Sequence, residues 1–74
     1  MSSARPTLGQ HYLAMLRHAL AAFLVYSADF EGSDREVAAG GIRGIVKECA
    51  RAGVWPEAKL LLMEAERREK EARA

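Results

Sequence analysis

The sequence contains a single cysteine, Cys49, and no asparagine. One thiol excludes an intramolecular disulfide, and this usage fits the reducing cytoplasm. An excess of charge of one sign is also lacking. Eleven Lys and Arg stand against ten Asp and Glu, for a net charge of +1. That excludes the strong overall basicity of many nucleic-acid binders. The period-two alternation of half-buried strands is missing. So is an apolar run of the roughly 20 residues that a membrane span needs. The stretch from Leu8 to Tyr26 is interrupted by Gln10, His11, Arg17 and His18. Arg5 and the run Ala19 to Tyr26 imitate a secretory leader. Arg17 and His18 abut that run, however, and bulky Tyr26 sits badly for cleavage after Ala28. A cytoplasmic protein that does not enter a membrane is expected.

What is present is a helical composition. Half of the 74 residues are hydrophobic and 28% are charged, which excludes the low hydrophobicity of a disordered chain. The length allows one domain. Fourteen Ala, and eight Arg against three Lys, match the usage of a GC-rich bacterial or phage genome. Residues 1–7 read as a flexible lead-in and 8–74 as a single all-α domain of three helices. Helix 1 is expected from Leu8 to about Ala28. Ser33 followed by Glu36 has the spacing of a capping box, so helix 2 is expected from Asp34 to about Ala52. Gly53 is placed to end it in the left-handed conformation, with Val54 as the hydrophobic contact. Pro56 suits the first turn of helix 3. Helices 2 and 3 then form an antiparallel hairpin laid on helix 1. In the tail, Glu64–Arg68, Glu66–Lys70 and Glu69–Arg73 are i, i+4 pairs in the favoured order.

The apolar residues are unevenly shared. Of 21 large apolar side chains, leaving out Met1 and Cys49, eleven lie between Leu8 and Phe30. On a helical wheel Leu8, Tyr12, Met15, Phe23 and Tyr26 form one edge of helix 1, and Leu13, Leu16, Leu20 and Leu24 form the other. The two edges span more than the roughly 100° stripe that a surface helix buries. One hairpin covers one side and leaves the other wet. Self-association as a homodimer is therefore expected, with Tyr12, Met15, Phe23, Tyr26 and Trp55 as apolar anchors toward a second copy or a larger protein. Gly40 and Gly44, one turn apart in helix 2, are expected to let another backbone pack closely.

Little here is chemical machinery. His11 and His18 are seven apart, whereas helical metal pairs sit at i, i+4; no metal or cofactor is expected. Cys49 lies on the apolar face of helix 2 and reads as a buried thiol. Asp29, Glu31, Asp34 and Glu36 precede or open a helix, where its dipole favours them. Arg43, Lys47 and Arg51 form a basic stripe on the outer face of helix 2, suited to an acidic partner or to phosphates. If a turn falls at Gly40-Gly41, the segment Ile42 to Ala52 becomes the reading helix of a small DNA-binding regulator.

The stretch Ala50-Arg51-Ala52-Gly53-Val54-Trp55-Pro56-Glu57-Ala58, followed by Leu61 and Ala65, resembles the inter-helix turn of a tetratricopeptide repeat. The likeness covers one repeat at most, about residues 35–68, and implies a helical hairpin of protein-binding type. The expected function is a small non-enzymatic interaction module. Such a bacterial or phage regulator or inhibitor self-associates and masks a surface of a larger protein. The alternative is the DNA-binding regulator that uses helix 2.

Overall fold

The computed structural model describes residues 5–73. Helix α1 spans Leu8–Tyr26, α2 Asp34–Arg51 and α3 Trp55–Arg73, and a short 3-10 turn at Ser27–Asp29 prolongs α1. No strand occurs among the described residues. The N-terminus of α1 sits against Val54 in the α2–α3 turn. Its C-terminal end shares a groove with Arg68, Glu69 and Arg73 of α3. The helices therefore run up, down, up, as a 46 × 24 × 23 Å bundle. None is long and apolar enough to cross a membrane.

The helix boundaries follow from local chemistry, in several places unlike the expectation. The lead-in expected over 1–7 falls partly outside the described residues, but Thr7 is structured. Its Oγ1 accepts the Gln10 N–H at 3.1 Å, and Gln10 Oε1 accepts the Thr7 N–H at 2.8 Å. The capping box of this protein is thus Thr7–Gln10 at α1. Ser33 makes no side-chain cap bond. Gly32 at φ +57 turns the chain, and Ser33 follows at φ −91, ψ 9, not in the extended backbone that an N-cap requires. Asp34 Oδ2 accepts the Glu31 N–H at 2.9 Å, which fastens the turn that precedes α2 and leaves the helix N–H groups uncapped by Ser33.

The α2–α3 turn is as expected. Gly53 has φ +79, its N–H donates to Ala50 O at 3.1 Å, and the Val54 N–H donates to Cys49 O at 2.9 Å. Both bonds of a Schellman motif are present. α3 begins one residue earlier than expected, at Trp55, with Pro56 still in the first turn, where a missing N–H costs nothing.

α2 runs unbroken through Gly40 and Gly41, which removes the turn that a helix-turn-helix needs there. The expected close packing at Gly40 and Gly44 also fails within the chain. A Cβ at Gly44 would meet nothing within 4 Å, and at Gly40 only the end of Arg43 at 3.9 Å. Close approach occurs instead at buried Gly9, where a Cβ would lie 2.6 Å from Val54 Cγ1.

The core is small. Leu16, Cys49 and Ala58, one from each helix, are fully buried, ringed by partly buried neighbours such as Leu13, Leu20, Ile45, Val46 and Leu61. Gly9 and Gly40 should respond to alanine with opposite signs. Gly40→Ala fills open space in a helix interior and should raise stability by about 1 kcal/mol. Gly9→Ala drives a methyl into branched Val54 and should lower it by about 1–3 kcal/mol. Thermal unfolding of the two variants checks both.

Candidate functional site

The two apolar edges of α1 meet different helices. Leu20 and Leu24 face α3, where they share a groove with Leu61 and Ala65. Ala19, Ala22, Phe23 and Tyr26 border α2, in a trough of about 300 Å³ shared with Ala38 and Ile42. Every side chain lining that trough is apolar or aromatic.

Charge is distributed just as unequally. α1 carries one charged side chain, Arg17, in 19 residues. α3 carries ten in 19: Glu57, Lys59, Glu64, Glu66, Arg67, Arg68, Glu69, Lys70, Glu71 and Arg73. These ions pair mainly with one another. Glu64 accepts from Arg67 and Arg68, Arg67 also reaches Glu71, and Glu69 takes Arg73 at 2.7 Å. Of the three pairs expected in the tail, Glu64–Arg68 and Glu69–Arg73 form; Glu66–Lys70 does not. The Arg67 hydrogen bond, with a further contribution from Arg68, holds the Glu64 carboxyl below the usual range.

The expected anchors do not form one patch. Tyr12 is half-buried against the core, whereas Met15 and Tyr26 are 41% and 58% exposed. Phe23 is used inside the chain. Its ring packs edge-on to Phe30 at 5.4 Å, and Arg35 lies over its face at 5.0 Å while pairing with Glu69 at 2.8 Å. Trp55 is exposed, but it starts α3 at the end of the bundle opposite Tyr26. Val37 of α2 and Leu60 of α3, counted among the apolar side chains, are 71% and 66% exposed. Their exposure depends on which way α2 and α3 face, and periodicity alone does not supply that.

The basic stripe is exposed but diluted. Arg51 pairs with Glu48 at 3.3 Å, and Arg43 lines a groove with Glu66 and Glu69. His11 and His18 are exposed on α1. No group of three His, Cys, Asp or Glu that could hold a metal occurs among the described residues. Comparison with protein-family models, curated proteins and solved structures finds no match.

Cys49 is fully buried, and burial pushes its thiol up. Because only the thiolate reacts readily, the folded protein should resist thiol reagents at mildly alkaline pH. Reaction should become fast once denaturant exposes the side chain, as a colorimetric thiol assay will show.

Proposed function

We propose that this chain is a small non-enzymatic interaction module that self-associates along α1 and masks a surface of a larger protein, as a regulator or inhibitor of bacterial or phage type. The observation that carries this reading is the uncharged apolar edge of α1, whose Leu8, Met15 and Tyr26 are open to water beside a trough without a charged side chain. A large side chain left in water forgoes about 1.5–3 kcal/mol. The masking role is supported by Leu60 and Met63, three residues apart on α3 and both exposed. Neither they nor any other α3 residue lines the trough beside the α1 edge.

The competing reading is a DNA-binding regulator working through Arg43, Lys47 and Arg51. It lacks the helix break at Gly40-Gly41, one of its three cations is paired with Glu48, and another shares a groove with Glu66 and Glu69.

Sedimentation equilibrium separates the two readings. The wild type should approach twice the 8.1 kDa chain mass. Met15→Glu should stay at the single-chain mass, because a carboxylate buried without a partner is strongly unfavourable. A wild type that stays single and retains DNA at low salt, with retention lost in the Arg43→Glu/Lys47→Glu variant, would overturn the proposal in favour of DNA binding.

A further inference from the structure

We infer that the cover for the α1 edge is a second copy of this chain, with its α1 laid antiparallel along the first in one definite register. This rests on the self-association reading and fixes its geometry. Leu8, Tyr12, Met15, Ala19, Ala22 and Tyr26 follow one another at steps of four, three, four, three and four residues, the spacing of a coiled-coil seam. All six are at least partly exposed, and none is charged.

The step pattern reads the same from either end. Two antiparallel copies therefore meet member for member, with Leu8 against the partner's Tyr26, Tyr12 against the partner's Ala22 and Met15 against the partner's Ala19. The two inner pairings set a large side chain on a methyl group. A twofold interface makes each contact twice and so demands this self-complementarity. A parallel pairing would set Tyr12 on Tyr12 and Met15 on Met15 while leaving alanine on alanine, which crowds two levels and empties two others.

The neighbouring surface admits the second helix. Gly41 lies three residues after Ala38 and four before Ile45, hence on their side of α2. A Cβ at Gly41 would meet nothing within 4 Å. A seam without charge raises no repulsion against its own copy and offers no charge pattern for selecting a foreign partner. So small a core needs its cover whenever the chain is folded, and a second copy is present in matching amount.

Cross-linking tests the register. In the Leu8→Cys/Tyr26→Cys variant, oxidation should give a covalent dimer, because each new thiol faces the other type across the seam. Neither single variant should cross-link, since in this register like positions lie at opposite ends of the pair. The wild type, whose Cys49 is buried, is the control. On the unmodified seam, Ala19→Glu should give single chains in sedimentation, while Ala14→Glu, on the outer side of α1, should leave the dimer intact. Cross-linking of Leu8→Cys alone would establish a parallel pairing and overturn the register. So would a dimeric wild type whose double variant fails to cross-link, or a dimer that survives Ala19→Glu; in each case self-association stands. A wild type that remains single at high concentration overturns both.

Discussion

Helix α1 spreads large apolar side chains over about half of its circumference, and a bundle of three helices supplies only two neighbours to cover them. Leu16 goes to the centre and is fully enclosed. Leu20 and Leu24 are taken by α3, and Phe23 by α2 and Phe30. Leu8, Met15 and Tyr26 remain in water. Small domains have total stabilities of about 5–15 kcal/mol, so each large side chain left in water is a sizeable fraction of the total.

The charged α3 helps determine which face stays open. Its ions pair within the helix, and Glu69 reaches across to Arg35 of α2. Arg35 in turn covers Phe23 of α1, so one guanidinium touches all three helices. Exposed pairs of this kind contribute little each. Their consequence is spatial: the grooves bordered by α3 are lined partly by charged side chains, and the trough between α1 and α2 is not. The trough of Ala19, Ala22 and Ala38 lies on that uncharged face.

Much of this was legible in the residues. Three helices, the Gly53 turn and the split of α1 into two edges follow from periodicity and from one glycine placed before a hydrophobic residue. The N-terminus of α1 is legible too, since Thr7 and Gln10 have capping-box spacing. The Ser33–Glu36 signal misled because Gly32 alters the backbone entering Ser33, an effect that spacing does not encode. The contact of Phe23 with Phe30 joins a helix to the connection that follows it, and the wheel does not show it. Gly40 and Gly44 have spacing suited to a close backbone approach, but no element of this chain takes it up and the space beside them is open. Gly9, the one glycine that another element crowds, depends on the α2–α3 turn reaching the start of α1, a contact between distant parts of the sequence.

The central claim is that folding of this chain is completed by covering the α1 edge with a second copy. Coupled folding and association make the thermal midpoint depend on protomer concentration. Circular dichroism melts over a broad dilution series should show the midpoint rising steadily with concentration. A midpoint that stays constant across the series, with a cooperative transition at every dilution, would contradict the claim.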